Sequence, residues 1–403
     1  MRLYDTARAA VVPFEPSGSQ VSVYVCGITP YDAAHIGHAF TYHVFDVVIR
    51  RLRRTGQTVR SVRNVTDVDD DIVRVARERG VDMWTLAESQ LTLFEDDMRS
   101  IGLLPVDGMP HASRHVPEML GWIERLVAGG HAYAVDGWVY FDVARFSGYG
   151  RLSRLDAAAM VGLARQRGGD PDDPRKRQPL DFVLWQPSAR GEPRWPSAWG
   201  QGRPGWHIEC SVMSTGSLGA PVDIHGGGDD LIFPHHESEI AQAEAAGVVP
   251  YVRHWVHVAM VRYRGEKMSK SLGNLIFVRD LLRRASASSV RILLASHHHR
   301  ESWEFEEHEI AAAEMRAARY AEALQADVRI PAPEAAEIQA QLDDRIDDDV
   351  DTPGALHVID SFATRLLQAP RPPAAGATVS GSELMSQLLD ALGAPVPTLA
   401  VER

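Results

Sequence analysis

The run Val21-Ser22-Val23-Tyr24-Val25 is closed by Cys26-Gly27, turned at Thr29-Pro30 and followed by a long apolar-periodic stretch from Ala39 to Leu52. β-Branched and aromatic residues favour an extended strand, and apolar residues recurring at helical spacing favour a helix. The pattern therefore predicts strand, loop, helix. A second strand at Thr58 to Val62 leads into Asn64-Val65-Thr66-Asp67, after which helical patterns alternate with loops through Val127. This is the ordering of an α/β protein.

Beyond that start the pattern changes twice. Residues Arg165 to Gly205 are rich in Gly, Pro, Arg and Trp with weak periodicity, which predicts a long structured loop or insertion, and regular structure resumes at Val222. From Glu304 onward the pattern is helical, with an Ala-rich stretch over Ala311 to Leu324 and a further helix after Thr352-Pro353, where proline suits a first helical turn. A Pro/Ala/Gly-rich linker, Ala369 to Ala377, precedes one last short helix. The length of 403 residues suits roughly two to three domains.

Charge separates along the chain. Between Glu301 and Arg403 stand 20 acidic and 7 basic residues, a net of −13 within a total of −12, so the remainder is close to neutral. Lysine and arginine on phosphates supply most non-specific affinity for nucleic acid, so the acidic quarter has the wrong sign to grip a polyanion. Arg2, Asp5 and Arg8 interrupt the stretch Met1 to Ala10, and no later segment reaches ~18 uncharged residues; neither a signal peptide nor a membrane span is expected, and the expected location is cytoplasmic. Cys26 and Cys210 are the only cysteines, too few for a disulfide framework, which leaves inert core residues or chemical ones.

His35-Ile36-Gly37-His38 lies where the first loop gives way to the helix, a place where backbone N–H groups and the helix dipole favour anionic phosphate. Two imidazoles there can hold phosphoryl oxygens, and Gly37 leaves room for a nucleotide against the backbone. Taken alone, two surface histidines are the commoner explanation. Lys267-Met268-Ser269-Lys270-Ser271, followed by Leu272-Gly273-Asn274, is a small-residue loop whose lysines suit negative charge developing on a transferred phosphate. Taken alone it is a solvated basic loop. Together, in this order and separated by an α/β region, the two elements resemble the signature motifs of class I aminoacyl-tRNA synthetases. That resemblance implies a Rossmann-like catalytic domain over residues 1–300, with an inserted connective region at about 110–205, and a C-terminal helical bundle over 301–403.

Cys26, Cys210, His235 and Glu239 are all residue types that bind zinc, and the i,i+4 spacing of the last two places them on one helix face. Two core cysteines and a surface His/Glu pair are the plain alternative. The surrounding stretches, Tyr24-Val25-Cys26-Gly27, Gly202-Arg203-Pro204-Gly205-Trp206-His207-Ile208-Glu209-Cys210-Ser211 and Asp223-Ile224-His225-Gly226-Gly227-Gly228 through Phe233-Pro234-His235-His236-Glu237, resemble the cysteinyl-tRNA synthetase superfamily. In that family zinc takes the substrate thiolate as a ligand, and a soft thiolate outcompetes the hydroxyl of serine at such a metal.

Two sister groups share these motifs: cysteinyl-tRNA synthetases and the mycothiol-pathway ligases that join cysteine to glucosaminyl-inositol. Gly27-Ile28-Thr29-Pro30-Tyr31-Asp32 and Arg167-Gly168-Gly169-Asp170-Pro171 are similar to the ligases, as are the single C-terminal helical region and the acidic tail. His225, Glu239 and the Ser271-Leu272-Gly273-Asn274 run are similar to the synthetases; the ligases tend to carry glutamine at the first position and a non-ligand at the second. The expected function is ATP-dependent ligation of cysteine to an amino-sugar amine. The alternatives are a compact cysteinyl-tRNA synthetase, a paralogue using another small amine, and a non-catalytic cysteine sensor.

By resemblance, His35, His38, Lys267 and Lys270 serve catalysis, and Cys26, Gly27, Ile28, Thr29, Thr41, Asn64, Val65, Thr66, Trp206, Gly228, Asp229, Asp230 and Val261 contact the cysteinyl adenylate. Cys26, Cys210, His235 and Glu239 are the implied zinc ligands. The implied partners are cysteine, ATP with Mg2+ and an amino-sugar acceptor, with no tRNA and no membrane, and the chain is expected to be a monomer.

Overall fold

A computed structural model describes residues 1–268, 273–368, 377–394 and 396. Its centre is a parallel sheet of four strands in the order Val252–Val258, Val222–Gly228, Gln20–Ile28, Thr58–Val65. The chain enters at Gln20–Ile28, crosses to one side, and after residue 200 returns on the other. The order of strands thus reverses between Gln20–Ile28 and Val222–Gly228, and the carboxyl ends of these two strands flank the crevice where open α/β sheets bind ligands.

Strand periodicity decides what faces that crevice. Val21, Val23 and Val25 share one core with the helix Ile36–Arg54, whereas Tyr24 and Cys26, one residue out of phase, pack with Val62, Cys210 and Val222. Successive side chains on a strand point to opposite faces, so Cys26 meets the helix Trp206–Leu218, which carries Cys210. The Ile36–Arg54 helix buries Phe40, Phe45, Val47 and Val48, each worth roughly 1.5–3 kcal/mol, and ends in Arg51, Arg53 and Arg54, which complement its carboxyl-terminal dipole. It begins one turn earlier than its apolar periodicity shows, because His35 caps it: Nδ1 of His35 accepts from the Gly37 N–H at 3.1 Å.

The stretch Arg165 to Gly205, whose periodicity predicts a loop, contributes two strands. Phe182–Pro187 and Gly202–Pro204 complete an antiparallel sheet with Ala132–Val135 and Trp138–Phe141. Proline and glycine mask the pattern, but Phe182, Leu184 and Trp185 are buried in a second core with the helix Val116–Ala128 and the Trp206–Leu218 helix. Toward the carboxyl end, the helices Glu307–Leu324, Ala332–Asp347, Thr352–Gln368 and Gly381–Ala391 form a bundle whose apolar faces join the core of the Ile36–Arg54 helix. One apolar core therefore runs across residue 300. Most of the linker Ala369 to Ala377 lies outside the described residues. Among the described residues, no helix is long and apolar enough to cross a membrane.

Candidate active site and metal centre

Four donors from three parts of the chain converge behind the carboxyl end of the Gln20–Ile28 strand. Cys26 Sγ lies 3.8 Å from Cys210 Sγ and 3.8 Å from Glu239 Oε1, and His235 Nε2 lies 3.2 Å from the same Glu239 oxygen. Tetrahedral zinc, with thiolates at about 2.3 Å and nitrogen or oxygen at about 2.0–2.1 Å, has a sulfur–sulfur edge of about 3.8 Å, sulfur–oxygen edges of about 3.6 Å and nitrogen–oxygen edges of about 3.3 Å. The donors already stand close to those separations. A second set, Cys26, His225, His236 and Glu239, shares two members with the first. It fits less well, because His236 Nε2 sits 3.1 Å from Cys26 Sγ, short of the nitrogen–sulfur edge of about 3.5 Å in tetrahedral zinc.

The electrostatics point the same way. Burial, then Cys210, pushes both the Cys26 thiol and the Glu239 carboxyl well above their ordinary ranges. Burial also pushes His225, His235 and His236 well below the usual imidazole range, so these rings are neutral, the form in which histidine binds metal. The Cys26 thiol and the Glu239 carboxyl, which resist ionisation here, become favourable as anions once a cation stands among the donors. Sulfur, nitrogen and oxygen donors in a buried group, all within 4.8 Å of one another, suit zinc.

Partners outside the four donors hold them in place. Tyr251 donates to Glu239 Oε2 at 2.7 Å and pairs with the Ser214 hydroxyl at 2.7 Å. His235 turns Nδ1 toward His207 Nδ1 at 2.9 Å, leaving Nε2 for the donor group, and its ring stacks on Trp206 at 4.2 Å. His236 continues outward through His257 to Thr6, with both links 2.7 Å. Sequence reasoning did not single out Tyr251, His236 or His257 as site residues. Of these only His236, beside His235, carried a local signal.

The expected nucleotide residues lie on the carboxyl ends of the sheet strands, the turns that follow them and the start of the Ile36–Arg54 helix. The rings of His35 and His38 stack at 3.8 Å over the start of the Ile36–Arg54 helix. Gly37 is constrained from within as well as by any nucleotide, since a Cβ would meet the His35 ring at 3.0 Å. Gly27 admits no side chain: a Cβ would fall 1.6 Å from the Asn64 carbonyl oxygen. Its N–H donates to Asn64 Oδ1 at 2.7 Å, Asn64 Nδ2 donates to the Thr66 hydroxyl at 3.0 Å, and the Thr66 N–H donates to the Ile28 carbonyl at 3.0 Å. These bonds join Cys26 to Thr29 with Asn64, Val65 and Thr66 in one rim. Thr41 turns its hydroxyl to the Gly37 carbonyl at 3.2 Å. Gly228 closes its strand, Asp229 and Asp230 start the following 3-10 turn, and buried Val261 begins the strand Val261–Tyr263.

Lys267 ends the strand Glu266–Lys267, paired with Arg262. Lys270 lies outside the described residues. Just beyond the loop, the Ile36 N–H donates to the Ile276 carbonyl at 2.8 Å and the Val278 N–H to the Ala34 carbonyl at 3.0 Å, so the chain leaving the lysine motif is stitched to the segment entering the histidine motif.

The family described as tRNA synthetases class I (C) catalytic domain matches residues 13–315. The L-cysteine:1D-myo-inositol 2-amino-2-deoxy-alpha-D-glucopyranoside ligase of Streptosporangium roseum is 44% identical over 97% of this chain and 94% of its own length. The ligase of the same name from Thermobispora bispora is 42% identical over 97% and 94%. Among solved structures, the Mycobacterium tuberculosis methionyl-tRNA synthetase in complex with methionyl-adenylate superposes with a TM-score of 0.66 at 17% identity, covering 93% of this chain and 91% of that one, a likeness of fold alone. The chain belongs to the class I (C) tRNA-synthetase catalytic-domain family, in the branch of the L-cysteine:1D-myo-inositol 2-amino-2-deoxy-alpha-D-glucopyranoside ligases.

Proposed function

We propose that this chain joins cysteine, through a cysteinyl adenylate, to the amine of glucosaminyl-inositol in mycothiol biosynthesis. The observation that carries the cysteine-activating part of this reading is the convergence of Cys26, Cys210, His235 and Glu239 beside the strand end that also presents the nucleotide rim, and the acceptor rests on the 44% identity to the ligases. In the first half-reaction a cysteine carboxylate oxygen bonds to the α-phosphorus of ATP as the bond to the pyrophosphate oxygen breaks. In the second the acceptor nitrogen bonds to the adenylate carbonyl carbon, AMP leaves with the carbon–oxygen bond electrons, and the nitrogen loses a proton.

Within this reading His35 and His38 hold phosphoryl oxygens at the helix start, where N–H groups and the dipole add attraction. Gly27, Ile28, Thr29, Thr41, Asn64, Val65, Thr66, Trp206, Gly228, Asp229, Asp230 and Val261 line the adenylate, and catalysis rests on their positioning. Lys267 and Lys270 meet the charge that grows on departing pyrophosphate. Cys26, Cys210, His235 and Glu239 would hold zinc, which supplies a soft Lewis acid for the substrate thiolate and so separates cysteine from serine.

Glu239 in the donor group favours a second reading, a compact cysteinyl-tRNA synthetase. Identity of 44% over nearly the whole chain to the sugar-amine ligases, and the net −13 of residues 301–403, weigh against it. The test is ATP–pyrophosphate exchange without any acceptor. The expected result is exchange that requires cysteine and is not supported by serine; no exchange with cysteine, or equal exchange with serine, overturns the adenylation reading.

A further inference from the structure

Arg167 opens the motif Arg167-Gly168-Gly169-Asp170-Pro171, to which the reaction as set out gives no task. The helix Ala157–Gln166 ends on it: Arg167 is the C-cap, Gly168 follows at φ 84°, and the Gly169 N–H closes back on the Ala164 carbonyl at 2.8 Å. This is a Schellman end, which needs a left-handed residue at the first glycine. At the second, a Cβ would come within 2.9 Å of the Ala164 carbonyl oxygen. The two glycines turn the chain away at once and leave Arg167, half-buried, at the helix tip.

From there one guanidinium nitrogen, Nη1, donates to the backbone carbonyls of both Asp230 and Phe233. These carbonyls belong to the turn between the strand Val222–Gly228 and the helix Glu237–Ala245. Gly228, Asp229 and Asp230 begin that turn, and His235 follows Phe233 by two residues. The Ala157–Gln166 helix itself packs against the Ile232–His236 segment. A single permanent cation on the inserted region thus grips the short segment that joins the adenylate rim to the donor group. The grip is specific to arginine, because a rigid fork of donors can satisfy two carbonyls in fixed directions where an ammonium on a flexible stem holds them loosely.

We propose that Arg167 is a positioning residue for adenylation: by clamping the Asp230 and Phe233 carbonyls it sets the Gly228–His235 turn relative to the sheet, and so aligns the adenylate-facing residues with the donor group. This rests on the adenylation reading. The role explains why the motif couples an arginine to two glycines. The glycines end the helix sharply enough for the arginine at its tip to reach across to the catalytic sheet.

The test compares wild type with Arg167→Ala and Arg167→Lys in cysteine-dependent pyrophosphate exchange, with and without free guanidinium at concentrations that leave wild type unaffected. Thermal midpoint, metal content and amide hydrogen exchange over residues 228–236 are measured on the same samples. A displaced turn predicts a loss of about 10²-fold in Arg167→Ala, partly restored by guanidinium, with an unchanged thermal midpoint. Arg167→Lys should stay below about a tenth of wild type. Protection of the turn should fall in Arg167→Ala and recover with guanidinium, a readout that needs no activity. Exchange within about twofold of wild type, a loss that guanidinium leaves untouched, or unaltered protection of the turn would overturn the proposal. Wild type without cysteine-dependent exchange would instead sink the adenylation reading, and the turn's protection would still decide the clamp.

Discussion

Tyr251→Phe removes one oxygen atom and probes whether the donor group is built for a metal. Its hydroxyl donates to Glu239 Oε2 at 2.7 Å in a site with no solvent exposure at Glu239, and the aromatic ring, packed near His225 and Trp255, is kept by phenylalanine. Without it, Oε2 retains, among the described residues, only His225 Nε2, at 3.4 Å, and the Ser214 hydroxyl keeps a 3.3 Å bond to the Ser211 carbonyl. A hydrogen bond to a charged acceptor contributes about 1.5–3 kcal/mol, which corresponds to about 10- to 100-fold in the affinity for a metal that Glu239 ligates. Removal of a partner that orients a ligand typically costs the same range. Competition with a chromophoric zinc chelator at neutral pH measures it, with near-ultraviolet circular dichroism to show the fold intact. Zinc affinity equal to wild type would refute the argument that Glu239 is a ligand held by Tyr251.

Asp46→Ala should cost about 3–5 kcal/mol in urea unfolding, because it strands the fully buried Arg291 that pairs with Asp46 and also removes acceptors for Arg50 and the Leu104 N–H; a cost below about 1 kcal/mol would contradict this. His43 is fully buried, neither ring nitrogen is hydrogen-bonded among the described residues, and burial pushes it well below the imidazole range. A depressed histidine leaves more protons on the unfolded state, so the stability of wild type relative to His43→Leu should fall as pH drops below about 6.5, by up to about 1.4 kcal/mol per unit, and a difference constant between pH 7.5 and 5.5 would contradict it. Lys267→Ala should lower adenylation turnover by about 2–4 kcal/mol of barrier; a change confined to the Michaelis constant for ATP would make the loop a binding element only.

The strand–loop–helix start was readable because Val21 to Val25 and Ala39 to Leu52 have clean, different periods. The apolar spacing begins only at Ala39, because capping by His35 is a side-chain geometry it does not carry, and it was the place of His35 to His38 after the loop that marked the helix start. The strands Phe182–Pro187 and Gly202–Pro204 were hidden by the prolines and glycines around them, whose loop signal outweighed the short runs that pair. At the site, residue type, the i,i+4 spacing of His235 and Glu239 and the resemblance of the surrounding stretches nominated Cys26, Cys210, His235 and Glu239, but their meeting depends on strand phase and on crossovers spanning more than 200 residues. Tyr251 and His257 were out of reach for another reason: each acts on a side chain 12 or 21 residues away, and nothing local marks a tyrosine that holds a carboxylate.

The acceptor amine defines the reaction, and the mass of the product identifies it. Purified protein with ATP and labelled cysteine is given glucosaminyl-inositol in one reaction and total tRNA in another, at matched enzyme and moderate salt, and the products are identified by mass. The expected products are the cysteinyl amide of glucosaminyl-inositol with one AMP and one pyrophosphate per amide formed, and no saturable transfer to tRNA. Efficient charging of tRNA with no sugar amide would contradict this reading and establish the compact synthetase.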